Sequence, residues 1–149
     1  MSNATDVPSS GTRSDSRSVL LYDGDCGFCA GSVQFMLRHE PAAARARLAF
    51  APLQGALATM VRERFPELAA VDSVVWYDPS VPAVRVRSAA ALAAMAHLGG
   101  MWAAVATIGR LVPRVLRDAI YDQIARRRFN IAAPACLLPS AEHRVRFLP

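Results

Sequence analysis

Apolar and polar positions along the chain fall into two periods. Ser18-Val19-Leu20-Leu21-Tyr22-Asp23 is a short, continuous apolar run, the signature of a strand buried on both faces. From Gly27 the period lengthens. Cys29, Val33, Met36 and Leu37 recur at i, i+4, i+7 and i+8, which predicts a helix to His39, stopped because Pro41 disfavours helical geometry at Glu40. Arg47-Leu48-Ala49-Phe50-Ala51-Pro52 reads as a second strand, parallel to the first because a helical crossover joins them. Leu53, Leu57, Met60, Val61 and Arg64 predict a second helix, closed by Phe65-Pro66. Ser73 to Asp78 is a third strand, and Asp78-Pro79-Ser80 is turn chemistry. Ala83-Val84-Arg85-Val86-Arg87 alternates strictly, so the two strands form a hairpin at a sheet edge.

Ser88 is the expected cap of a helix running to His97, with Gly99-Gly100 as its stop. Met101 to Val112 predicts a further helix. Pro113 opens a last one, with Leu116, Ile120 and Ile124 as its buried stripe and Asp122 and Arg126 paired on the wet face. Residues 1–17 read as a disordered polar tail, 18–129 as one domain, and 130–149 as a tail packed on or near it. The resulting α/β class has the order β-α-β-α-β-β-α with two additional C-terminal helices, which is the thioredoxin-like arrangement. Residues 89–109 are apolar over about the length of a membrane span. His97, the Gly99-Gly100 break and the flanking Arg87 and Arg110 favour two packed helices over a span.

Composition narrows the class. At 149 residues, with 53% hydrophobic and 19% charged residues, the chain can bury a core of its own. Three cysteines are too few for a disulfide-stapled secreted fold, and no signal peptide is visible, so the expectation is a cytoplasmic protein with reduced thiols. The net charge of +5 comes entirely from arginine, beside abundant alanine, a bias of GC-rich coding more than a nucleic-acid surface. Arg126-Arg127-Arg128 complements the negative end of the last helix and has no aromatic stacking platform beside it, so no nucleic-acid partner is expected.

The candidate chemistry is Asp23-Gly24-Asp25-Cys26-Gly27-Phe28-Cys29, a Cys-x-x-Cys pair where a strand ends and a helix begins. Unpaired N–H groups and the positive end of the helix dipole stabilise a thiolate there. Cys26 is expected at the exposed helix start, as nucleophile. Cys29, one turn in on the core-facing stripe, is expected to resolve the mixed disulfide. Asp25 either caps the helix or opposes the thiolate with its charge. Asp23 either takes a proton from Cys29 or belongs to the turn. Gly24 and Gly27 either admit close backbone approach or are ordinary turn glycines.

A metal-binding or protein-interaction module using the same pair is the alternative. A structural zinc site wants four ligands, and only Cys136 and the scattered His39, His97 and His143 are left to supply them. No cofactor beyond the redox-active disulfide and no metal are expected. Cys136 is a third redox thiol, a resolving partner or a passive residue.

Tyr22 to Cys29 resembles the signature of the DCC family of thiol-disulfide oxidoreductases, a DUF393-type group named for its Asp-Cys-Cys residues. The similarity continues through Leu48-Ala49-Phe50-Ala51-Pro52-Leu53-Gln54, Ser88 to Leu92, Leu98-Gly99-Gly100, Val112 to Asp118, and Cys136-Leu137-Leu138-Pro139 with Arg146-Phe147-Leu148. The resemblance implies a thioredoxin-like fold and protein-disulfide reductase activity. It maps the family's Asp-Cys-Cys onto Asp23 or Asp25 with Cys26 and Cys29. The partners implied are a disulfide-containing protein or small thiol and a reducing partner. Thioredoxins proper carry a proline before the third strand, where this chain has Asp72-Ser73, so the substrate groove is expected to be built differently.

Overall fold

The computed structural model describes residues 16–131 and 139–149; most of the expected N-terminal tail (residues 1–15) and Cys136 lie outside them. The strands are β1 (Ser18–Tyr22), β2 (Leu48–Pro52), β3 (Val75–Asp78) and β4 (Ala83–Val86). They form one sheet in the order β2-β1-β3-β4. β1 runs parallel to β2, with Leu20 opposite Phe50, while β3 is antiparallel to both β1 and β4. The parallel pair and the edge hairpin are as the apolar patterns predict.

The helices are α1 (Gly27–His39), α2 (Ala42–Arg45), α3 (Ala56–Arg64), α4 (Arg87–Leu98), α5 (Gly100–Leu111), α6 (Arg114–Ile131) and α7 (Ala141–Arg144). Alternation along β1 divides the core in two. Leu20, Tyr22, Phe50 and Trp76 pack with Val33 and Met36 of α1 and with Ala90 and Ala93 of α4. Val19, Leu21, Ala51 and Val75 pack on the opposite face with Ala58 and Val61 of α3. Helices therefore cover both faces, which gives a thioredoxin-like α/β fold.

The long apolar stretch 89–109 is broken at Gly99 and Gly100, which have φ of 71° and 52°, into two helices of 12 residues each. Among the described residues no helix is long and apolar enough to cross a membrane.

Several expectations are corrected. Ser88 does not cap α4: its Oγ donates to Asp118, and the N-cap position is Val86. Leu116, Ile120 and Ile124 are not buried; their exposures are 54%, 54% and 44%. The face of α6 that turns inward carries Asp118, Tyr121, Ala125 and Arg128 instead. Asp122 does not pair with Arg126; its carboxylate lies 3.8 Å from Arg87, and Arg126 Nε donates to the Asp122 carbonyl. The second helix begins at Ala56 rather than Leu53, and Met60 faces solvent.

The chain end also has more structure than a tail. Phe50 N–H donates to Arg146 O and Leu148 N–H to Phe50 O, both at 2.8 Å, so Phe147 pairs in parallel beside β2. Arg146, buried, makes a bidentate ion pair with buried Glu40 at the end of α1 and donates to Leu48 O. His97 Nε2 stands 3.4 Å from the same carboxylate.

Candidate functional site

The first strand delivers the chain to α1 through Asp23-Gly24-Asp25. Asp23 Oδ1 accepts from the Asp25 N–H (3.0 Å) and from Gln54 Nε2 (2.9 Å), while Gly24 N–H donates to Gln54 Oε1 (3.2 Å). Asp25 is thus a turn residue with an exposed side chain, and it does not cap α1. The cap is Cys26 itself. Its Sγ accepts the Cys29 N–H at 3.3 Å, spending a backbone donor of the first turn on sulfur.

Folding therefore brings Cys26 and Cys29 together at the helix start, but the expected exposure is reversed. Cys26 is fully buried at 0% exposure, and Cys29 is half-buried. The cause is the cap geometry: to meet the Cys29 N–H the Cys26 side chain folds back over the first turn. The Cys29 thiol is pushed up to about 12, first by burial, then by the hydrogen bond and charge of Cys26. The Arg128 guanidinium and the Asp23 backbone N–H work in the opposite direction.

Arg128 is the site residue that sequence reasoning missed. It is buried, with Nη2 3.1 Å from Asp72 Oδ2 and 3.6 Å from Asp23 Oδ2. The Asp23 carboxylate is thereby turned to the turn, Gln54 and Arg128, and it is the Asp23 backbone that meets Cys29. Tyr121, about two turns before Arg128 on α6, accepts the Val74 N–H at 3.2 Å just ahead of β3. The signal for both was present: Asp118, Tyr121, Ala125 and Arg128 stand at i, i+3, i+7 and i+10, a second helical stripe beside the apolar one.

A cavity of about 520 Å³ opens beside the pair. Its floor is β1, and its walls come from α1, α4 and α6; Gly27, Phe28, Cys29, Tyr121 and Arg128 all line it. Among the described residues, no group of three or more His, Cys, Asp or Glu side chains is placed to hold a metal ion.

A dithiol that caps the first helix after the first strand of a β2-β1-β3-β4 sheet defines a thioredoxin-like redox-type site. The sequence model of the DCC1-like thiol-disulfide oxidoreductases matches residues 20–133, and the chain belongs to that family. Over 134 residues it is 31% identical to the uncharacterized protein YuxK of Bacillus subtilis (strain 168), an alignment covering 88% of this chain and 93% of that protein. No solved structure matches the chain.

Proposed function

We propose that the protein is a thiol-disulfide oxidoreductase in which Cys26 is the nucleophile and Cys29 the resolving thiol. The Cys26 thiolate attacks a substrate disulfide, forming a mixed disulfide and releasing one substrate thiol. Cys29 then attacks Cys26, closing the Cys26–Cys29 disulfide and releasing the second thiol. Two electrons pass from the dithiol to the substrate, and the two thiol protons end on the products. The pair is its own redox group, and a separate thiol reductant restores it.

The observation that carries this reading is the Cys29 N–H donated to Cys26 Sγ at the helix start. A helix-start N–H donated to a sulfur is the arrangement that stabilises a thiolate, and the high pKa of Cys29 keeps its own proton in place. Attack requires the Cys26 side chain to rotate out of its cap, which frees the Cys29 N–H. Once Cys26 is in a mixed disulfide, its charge no longer opposes ionisation of Cys29. Arg128 and the Asp23 N–H remain to favour the Cys29 thiolate at the moment it is needed. On this reading Asp23 acts by fixing the turn and Arg128, and Asp25 by shaping the turn. The same reading places the protein in a reducing compartment such as the cytoplasm, where the pair rests as a dithiol.

Equilibrating the protein in glutathione buffers of graded ratio and mapping disulfides by mass spectrometry tests the proposal. Cys26 and Cys29 are expected to oxidise together as a two-electron unit. Independent glutathione adducts at each cysteine, with no link between them, would overturn it.

A further inference from the structure

The cavity beside Cys29 has walls chosen for emptiness. Gly27, Gly31, Ala90, Ala91, Ala94 and Ala125 contribute almost no side chain to it, and a Cβ built on Gly31 meets no atom within 4 Å. Phe28, Phe35, Met36 and Leu98 supply apolar wall. At about 520 Å³ it falls inside the roughly 300–1,000 Å³ range of small-molecule sites.

Its few polar groups are already engaged within the protein. Ser32 Oγ donates to Phe28 O at 2.9 Å, Tyr121 Oη accepts the Val74 N–H, and the Arg128 charge is matched by Asp72 and lies near Asp23. A polypeptide laid across this surface would leave backbone N–H and C=O groups against apolar walls. The Val74 N–H, the donor at the entry to β3, is unavailable to it because Tyr121 holds it. An acidic ligand would meet a guanidinium already neutralised.

We propose that this cavity is the substrate site of the dithiol and takes the neutral apolar body of a low-molecular-weight disulfide, whose sulfurs are presented at the Cys26–Cys29 helix start. The inference rests on the exchange reading above and narrows its substrate. The balance is unchanged: the substrate S–S bond breaks, the Cys26–Cys29 bond forms, two electrons move to the substrate, and both protons leave on the two product thiols.

The test uses pre-reduced protein with no other reductant and a single turnover. The mixed disulfide of 2-naphthylmethyl mercaptan with glutathione is compared with glutathione disulfide, which lacks the apolar body. The apolar substrate is expected to react at least about tenfold faster, the scale of a filled apolar pocket. Gly31→Leu and Ala94→Leu, which fill the cavity from different helices, are expected to collapse that ratio toward one. Met60→Ser, exposed on α3, is expected to leave it unchanged. Equal rates in the wild-type protein, or a ratio that survives both fillings, would overturn the inference. So would a protein disulfide that reacts faster than either probe.

Binding of the unreactive thioether S-(2-naphthylmethyl)glutathione, followed by calorimetry, separates the two readings. Thioether binding lost on filling the cavity, in a protein that exchanges no disulfide, upholds the site and overturns the redox role. Brisk exchange with no thioether binding does the reverse.

Discussion

At the scale of single residues, the chemistry turns on how the charge is shared between two sulfurs. Cys26 holds a helix N–H, and Cys29 sits where burial and its neighbour raise its pKa to about 12. Arg128 is the side chain that works against that rise. Arg128→Gln is therefore expected to slow closure of the Cys26–Cys29 disulfide from a preformed mixed disulfide by about tenfold, the scale of losing one nearby opposite charge. The rate-against-pH curve should move to higher pH, with Arg128→Lys restoring part of it. Stopped-flow kinetics between pH 7 and roughly 10 reads the shift; a slower rate with an unmoved profile would assign Arg128 a packing role only. Arg128 could be read as a dipole-complementing arginine because a sequence shows that it ends a helix. It does not show that the chain's turn at Asp23 meets that helix end.

At the scale of elements, β1, α1 and the hairpin were readable because their patterns have a single solution. A continuous apolar run must be covered on both faces, and Cys29, Val33 and Met36 have only one stripe to bury. α6 had two. Leu116 and Ile120 of its apolar stripe face outward and Ile124 lines the mouth of the cavity, while Asp118, Tyr121 and Arg128 on the inner face bond to Ser88, the Val74 N–H and Asp72. Periodicity gives the angle of a stripe, and burial depends on which partners wait opposite it. The outward face makes a clear expectation: Ile120→Gln changes unfolding free energy by less than about 0.5 kcal/mol, as exposed substitutions do. Tyr121→Phe, which strands the Val74 N–H, costs about 1–3 kcal/mol. Urea unfolding of the two variants measures the contrast; the opposite order would restore the apolar stripe to the core.

At the scale of the whole molecule, the chain end locks the far side of the sheet. Arg146 reaches across from residue 146 to Glu40 and Leu48, and Gly55 lies so close to Pro149 that an added Cβ would stand 2.7 Å from its carbonyl carbon. No local pattern announces contacts about 100 residues apart, so the docking mode of the tail was not readable from residues 144–149 alone. Arg146→Met is expected to cost about 3–5 kcal/mol, because it leaves the buried Glu40 carboxylate unpaired. The double variant Glu40→Leu with Arg146→Met should recover much of that loss in thermal unfolding.

The same cluster sets a pH response. His97, 8% exposed at its side chain, has its pKa lowered below 6.5, chiefly by burial and with Arg47 and Arg146 adding to it, against the pull of Glu40. The folded chain therefore binds that proton less readily than the unfolded chain. Its contribution to stability is whole above pH 6.5 and is lost as pH falls through the lower folded value. His97→Gln should flatten the fall in stability below pH 6.5, read from urea midpoints; an unchanged slope would place the titration elsewhere.

If Cys26 attacks and Cys29 resolves, removing the resolving thiol leaves the first adduct trapped. Cys29→Ser protein, reduced and then exposed to a disulfide, is expected to hold one substrate thiol in a stable mixed disulfide on Cys26, located by peptide mass spectrometry. Cys26→Ser protein should accumulate far less adduct. Adducts that form on Cys29 and fail to form on Cys26 would contradict the account.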